Sequence, residues 1–272
     1  EKAKEESEQR AKDILISSIQ RVAVNYVPEF TTTRVKLPDA DFKGRIIGFK
    51  GRNIQSLERA TGVTIDLDEA PDEVRLSSFD GLRREVARLA LERLIADGLI
   101  QPNRIEEEVE KAKENLEKAL KTTGEHVAYE AGIHGLPDEL LSLIGRFKFR
   151  TSYGQNLISH SLEVMAIAKL LANELGADVE LTKKAAFLHD IGKVKTAESD
   201  GPHAALTREI MEKFNFDEKT INAAAAHHED EPFGSLEAVI VQVADSVSGS
   251  RPGARFEDYE EYLHRMKALE ET

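Results

Sequence analysis

Phe187-Leu188-His189-Asp190-Ile191-Gly192-Lys193 sets a histidine beside an aspartate at the end of an apolar run, with glycine and lysine just behind. Neighbours on a helix point about 100° apart, so two adjacent polar residues rarely serve one packing purpose. They can converge on one ion where a helix ends against a cavity. The same half of the chain holds His160, His203, His227, His228 and Asp245, and a metal centre is therefore the first expectation. His160 follows Leu157-Ile158, His227-His228 follow Ile221 to Ala226, and Asp245 follows Val239 to Ala244. Helical reading places each of them at the end of an apolar segment.

His160, His189, Asp190 and Asp245 would offer one ion two imidazoles and two carboxylates, a set suited to Mn²⁺, Fe²⁺ or Mg²⁺. His203, His227 and His228 are enough for a second ion, with Asp190 bridging. A two-ion site answers the needs of phosphodiester hydrolysis, one ion activating water and both stabilising charge on the phosphorane. Lys193, three residues beyond Asp190, is placed to reach a non-bridging phosphate oxygen. Taken singly, a histidine is more often a surface or capping residue, and His126, His134 and His264 are read that way. Leu136-Pro137-Asp138 starts the first helix of this half. From there the periodicity is helical with no convincing strand: Leu162, Met165, Ala166 and Leu170 set one face, and Leu181 to Leu188 supply another. An all-α metal domain is expected.

The whole chain has 272 residues, 40% hydrophobic and 32% charged, enough for two ordinary domains or one large one. It has no cysteine, so disulfides are excluded and any metal must be held by histidine and carboxylate. No apolar run reaches the ~18 residues of a membrane span, and the charged N-terminus carries no signal peptide. The formal charge of −13 argues against indiscriminate coating of nucleic acid. Between Arg34 and Arg59, however, seven basic residues face three acidic ones (Asp39, Asp41 and Glu58), and phosphate could dock there.

That basic region has its own pattern. Arg34 to Leu37 alternates like a strand stopped by Pro38, and Val63 to Leu67 and Val74 to Ser77 read as two more, with Pro71-Asp72 turning between them. Between the first two strands, Gly44 to Leu57 reads as helix, glycine turn, helix. A helix with Val86, Leu89, Ala90 and Leu94 on its apolar face closes the unit, stopped by Gly98. The order β-α-α-β-β-α around Gly48-Phe49-Lys50-Gly51 resembles a KH domain. A loop of that form clamps the backbone of about four nucleotides. Each glycine lets a phosphate come close, the second helix offers its N-terminal N–H groups, and Arg45, Lys50 and Arg52 add charge. Ile46, Ile47, Ile54 and Leu57 are expected in the core.

Residues 1–30 read as the end of a polar helix or coiled coil, 31–100 as the KH unit, 101–133 as a linker helix and 134–272 as the metal domain. The linker carries Ile105, Val109, Ala112, Leu116 and Ala119 as a stripe, suited equally to its own domain or to a dimer seam. The fold class is α+β overall, a KH domain joined by a long helix to an all-α domain.

The set His160, His189-Asp190, Asp245 with His203 and His227-His228 resembles the HD-domain phosphohydrolases. A KH unit followed by an HD unit is similar to the ribonuclease Y family. Gly44 to Gly48, Arg146-Phe147-Lys148-Phe149-Arg150-Thr151-Ser152-Tyr153-Gly154-Gln155-Asn156, Leu188 to Lys193 and Arg251-Pro252-Gly253-Ala254-Arg255 carry that similarity. It implies a metal-dependent endoribonuclease that cuts single-stranded mRNA, starts its decay and leaves 5′-monophosphate ends. By position, His160, His189, Asp190 and Asp245 match metal ligands, Lys193 the lysine of the HD motif, and Gly48 to Gly51 the RNA-binding loop. Arg251 and Arg255, on a Pro-Gly loop, could hold substrate phosphate. The resemblance further implies a homodimer at the cytoplasmic face of the membrane, attached through an N-terminal helix absent from this sequence, and association with other RNA-decay enzymes. Two departures stand out. Phe49-Lys50 replaces a charged pair, more often Arg-Glu, and Glu229-Asp230 follows His227-His228 where the family has Gly-Asp. A nucleotide or cyclic-dinucleotide phosphodiesterase, and an RNA-binding scaffold with a structural HD unit, are the rival readings.

Overall fold

Thr32–Lys36 (β1) pairs antiparallel with Glu73–Ser77 (β3), and Thr64–Asp66 (β2) pairs with the other edge of β3, giving the sheet order β1-β3-β2. The computed structural model describes residues 31–67, 70, 72–152, 155–195 and 201–250. Val35 lies opposite Val74, and Ile65 opposite Leu76, so one face of the sheet is apolar and all four side chains are buried. Helices Asp41–Ile47 (α1), Arg52–Thr61 (α2) and Gly81–Asp97 (α3) complete the unit. Asp80 caps α3 by accepting from the Leu82 and Arg83 N–H groups, and Gly98 ends it in the left-handed conformation. The expected order of elements is therefore observed. Ile46 and Leu57 are core, whereas Ile47 is 40% exposed and Ile54 only half-buried. Ile47 is the last residue of α1, turned out by the glycine that follows.

Pro102–Glu130 (α4) is one 29-residue helix opened by proline at its first position. Its stripe is covered by the chain itself: Ile105, Val109, Ala112 and Leu116 belong to the core of the sheet unit. Leu120 joins them in place of the expected Ala119, which is exposed because the ~3.6-residue period carries the buried face on from Leu116 to Leu120. The stripe continues as Gly124, Val127 and Ala128, where α4 meets Asp138–Gly145 (α5). There a Cβ on Gly124 would lie 1.8 Å from the Leu141 carbonyl, and one on Gly145 would lie 1.9 Å from that of Leu120. Backbone touches backbone at this crossing, which only glycine on both helices permits.

The second core is helical. Leu157–Leu175 (α6), Val179–Leu188 (α7), His203–Lys213 (α8), Glu218–Ala225 (α9) and Leu236–Ser250 (α10) gather around Phe147, Phe187, Leu140 and Ile144. The expected face of α6 is displaced: Leu170 is 68% exposed, and the helix instead buries His160, Ser161, Val164, Ala168 and Ala172. Small side chains let α7 and α10 approach closely, which outweighs the larger apolar residues on the neighbouring face. The expectation of no strand also needs correction. Thr151–Ser152 (β4) pairs with Gln155–Asn156 (β5) in a short hairpin ahead of α6. Two residues per strand are too few for alternation to register. The expected polar helix at 1–30, and Pro71, Arg251 and Arg255, lie outside the described residues.

A candidate metal centre and a candidate nucleic-acid loop

His189 and Asp190 sit where α7 gives way to the 3₁₀ turn Ile191–Val194. Gly192 explains its place in the motif: a Cβ there would meet the His203 carbonyl at 1.9 Å and the Thr207 nitrogen at 2.8 Å. The turn thus lies directly on α8. Thr207 fixes it, donating to the His189 carbonyl (2.9 Å) and accepting from the Gly192 N–H (3.0 Å). His160 stands in the first turn of α6, at the start of its helix, and Asp245 well inside α10. The bundle, not the termini of its apolar runs, brings them together.

Asp190 occupies the centre and is 1% exposed. Its Oδ2 lies 3.6 Å from His160 Nε2 and 3.5 Å from His189 Nε2, and its Oδ1 lies 3.3 Å from His203 Nε2 and 3.7 Å from His227 Nε2. One carboxylate thus faces two imidazole pairs, one with each oxygen. Within each pair the Nε2 atoms are 3.3 Å apart. Two nitrogens ~2.0–2.1 Å from a common ion fall at about that separation. Asp245 Oδ1 joins the first pair, 3.0 Å from His160 Nε2 and 3.6 Å from His189 Nε2. His228 belongs with His203 and His227, its ring 4.8 Å and 4.1 Å from theirs.

The tautomers suit ligation. His189 Nδ1 donates to the Ala186 carbonyl (2.8 Å) and His227 Nδ1 to that of Ala224 (2.6 Å), leaving each Nε2 lone pair facing the centre. His160 Nδ1 donates to Gln155 Oε1 (3.1 Å) and Ser248 Oγ (3.2 Å). Both of those partners are held by Glu163, with Ser248 Oγ donating at 2.8 Å and Gln155 Nε2 at 3.3 Å. Lys193 Nζ donates to Asp190 Oδ2 (2.6 Å) and Ser152 Oγ (2.9 Å).

Charge follows burial and neighbours. Burial would raise the Asp190 carboxyl, but His189, Lys193 and His227 hold it well below the usual carboxylate range. Asp245 is likewise opposed by burial and held low by the neighbouring His160 and His189, while His189 itself is pushed down by burial but held above its ordinary value by Asp190 and Asp245. Burial pushes His203 down to about 4, and burial with the neighbouring His189 pushes His227 down to about 3. Deprotonated carboxylates and neutral imidazoles are the forms that bind a cation. Asp190 Oδ1 is buried without a hydrogen-bond partner, a deficit that a cation would relieve. The residues therefore fit a divalent metal.

An open cleft of about 210 Å³ leads to the cluster, lined by His227, His228, Glu229, Gln242, Asp245, Ser246 and Gly249. Glu229 holds φ 61°, a left-handed conformation that explains why glycine suits that position. Ser152, Gln155, Glu163, Thr207 and Ser248 escaped the reading of the sequence. Ser152 and Gln155 lie in the Arg146 to Asn156 stretch, whose signal was resemblance alone.

In the first unit, α1 ends at Gly48 (φ 69°), and Lys50 (φ 54°) and Gly51 (φ 76°) also turn left-handed before α2 begins. Asn53 fixes the loop by donating to the carbonyls of Arg45 (2.9 Å) and Ile100 (2.8 Å). Lys50 and Arg52 stand in solvent. Arg45 is partly engaged, its guanidinium bonded to the Gly98 carbonyl and lying 4.5 Å from the Phe42 ring. Among the described residues no helix is long and apolar enough to cross a membrane.

A KH domain family matches residues 32–93 and an HD domain family matches residues 157–250. The HD match points to dependence on divalent metal. Over 270 residues, 99% of this chain, the sequence is 52% identical to the ribonuclease Y of Desulforamulus reducens and 51% identical to that of Clostridium novyi. It is 52% identical to the ribonuclease Y of Clostridium kluyveri over 269 residues. These alignments cover 53%, 54% and 52% of the respective relatives, so the chain spans about half their length.

Proposed function

The chain belongs to the ribonuclease Y family, and we propose that it forms the RNA-capturing and RNA-cutting part of a metal-dependent endoribonuclease that initiates mRNA decay. The observation carrying this reading is the Asp190 carboxylate set between His160/His189 and His203/His227. His160, His189, Asp190 and Asp245 would hold one ion, and His203, His227 and His228 a second that shares Asp190. Nitrogen and carboxylate donors without thiolate suit Mn²⁺, Fe²⁺ or Mg²⁺. Such ions, when bound, supply Lewis acidity that activates water and stabilises charge on a phosphodiester.

The protein's own groups prepare that chemistry. Ala186 and Ala224 fix two imidazoles by their carbonyls, and Gln155, Ser248 and Glu163 fix a third. Lys193 keeps Asp190 ionised and oriented, and its ammonium is near enough to the centre to meet a phosphate oxygen. The Gly48–Gly51 loop, with Arg45, Lys50 and Arg52, captures the single strand, and Arg251 and Arg255 add phosphate contacts. Hydrolysis joins a water oxygen to phosphorus and breaks the bond to O3′, leaving a 5′-monophosphate on one product and a 3′-hydroxyl on the other. Homodimerisation, contact with other RNA-decay enzymes and attachment at the cytoplasmic face of the membrane come into this proposal from the family alone.

The test is cleavage of an internally labelled single-stranded RNA by the wild type and by His189→Ala/Asp190→Ala, with cyclic dinucleotides as parallel substrates. Loss of cutting in the double variant supports the reading, and equal cutting sinks it. Turnover of cyclic dinucleotides without RNA cleavage would transfer the site to the rival substrate class.

A further inference from the structure

Phe49 is the side chain on the glycine loop that packing does not explain. Its ring is 71% exposed, although the same segment buries Ile46 and Leu57 almost completely. An aromatic ring left in water forfeits the burial that is its usual contribution to a fold. The frame beneath it is rigid. Gly48, Lys50 and Gly51 hold left-handed backbone, and the Asn53 side chain ties the loop to two carbonyls. Lys50 Nζ and Arg52 Cζ lie over the ring, 5.4 Å and 5.6 Å from its centroid, as the ends of exposed side chains that a stacked base would displace toward its phosphates. Clamping a sugar-phosphate backbone calls for N–H groups and cations, and a ring adds nothing to that. An exposed ring with two mobile cations against it instead matches a whole nucleotide, with a π-face for the base and positive charge for its phosphates.

We propose that Phe49 is a stacking platform for one unpaired nucleobase, with Lys50 and Arg52 holding the flanking phosphates. The inference rests on the RNA-binding reading and deepens it: the loop selects a strand whose base is open, not merely a chain of phosphates. A base inside a duplex has both faces covered by its neighbours and cannot reach the ring. Every base has a π-face, so the platform discriminates single from double strand more than one base from another. The Phe49-Lys50 pair, a departure from the family's usual loop, is thereby a gain of base contact.

The chain contains no tryptophan, so Phe49→Trp places a single fluorescent reporter on the loop. It is titrated with a short single-stranded RNA and with the same strand made abasic. Binding by the wild type, Phe49→Tyr and Phe49→Leu is followed separately by anisotropy of labelled RNA. The expected result is quenching by the base-bearing strand only, unchanged affinity for Phe49→Tyr, and about tenfold weaker binding for Phe49→Leu. The salt dependence of Phe49→Leu stays that of the wild type, because no phosphate contact is lost. Equal affinity of Phe49→Leu and wild type, with no quenching while RNA is bound, overturns the platform and leaves RNA binding intact. Absence of RNA binding by the wild type overturns both. The exposed position keeps all three variants folded, which a melting temperature checks.

Discussion

Asp190 is costly to bury, and its surroundings show how that cost is met. Oδ2 is bound by Lys193, whereas Oδ1 has no hydrogen-bond partner and faces the Nε2 atoms of His203 and His227 at 3.3 and 3.7 Å. The orienting network is the sensitive part. Removing the amide in Gln155→Ala takes one of two acceptors from His160 Nδ1, and it should weaken metal binding by about tenfold to a hundredfold. Titration calorimetry with Mn²⁺ on chelator-stripped protein reads this, and unchanged affinity would deny Gln155 a positioning role. The histidines also set the response to acid. With folded-state values near 4 for His203 and 3 for His227 against an ordinary 6.5, the unfolded chain takes up protons first as pH falls. The contribution of these two histidines to the stability of the metal-free protein is full above about pH 6.5 and declines as pH drops toward 4, whereas His189, held above its ordinary value by Asp190 and Asp245, contributes in the opposite sense. Urea midpoints against pH should therefore slope downward below neutrality, and His227→Ala, though less stable overall, should show a shallower slope.

At the scale of elements, the centre depends on one close contact. The turn carrying His189-Asp190-Ile191-Gly192-Lys193 lies on α8, and Gly192 has no room for a methyl group against the His203 carbonyl. Gly192→Ala should push α8 away, costing ~1–3 kcal/mol of stability. It should also separate His203 from Asp190 and so reduce the bound-metal count more than the cost in folding requires. Melting temperature and metal analysis of the folded fraction test the two effects, and a variant that melts lower but keeps all its metal would contradict the second. The β4–β5 hairpin works at the same scale. Through Ser152 and Gln155 it holds Lys193 on one side and His160 on the other.

Across the whole molecule, α4 is common to both cores: its first half closes the sheet unit and its second half docks on α5. The Phe149 carbonyl, just before the hairpin, would lie 2.9 Å from a Cβ on Gly81 of α3. The RNA-binding reading therefore predicts that charge on the loop acts through capture of substrate. Lys50→Asp should raise KM for RNA cleavage more than it lowers kcat, and should reduce the slope of log affinity on log salt by about one. A drop in kcat at unchanged KM would assign the residue elsewhere.

The order β-α-α-β-β-α, the long linker helix and the residues His160, His189, Asp190, Asp245, His203, His227 and His228 that the fold gathers could all be read from the chain. Periodicity, glycine stops and residue chemistry are local properties, and a sequence carries them without reference to the fold. Tertiary structure decided what depends on approach between distant segments. The buried face of α6 belongs to its small residues because neighbouring helices come close there, and Gly192 is required because α8 arrives within touching distance. That Asp190 faces one imidazole pair with each oxygen was decided when α6, α8 and the turn Ala226–His228 brought His160, His203 and His227 to it beside His189. Ser152, Gln155, Glu163 and Ser248 stayed silent for the same reason, since a polar side chain acquires a partner 85 residues away only in the folded chain.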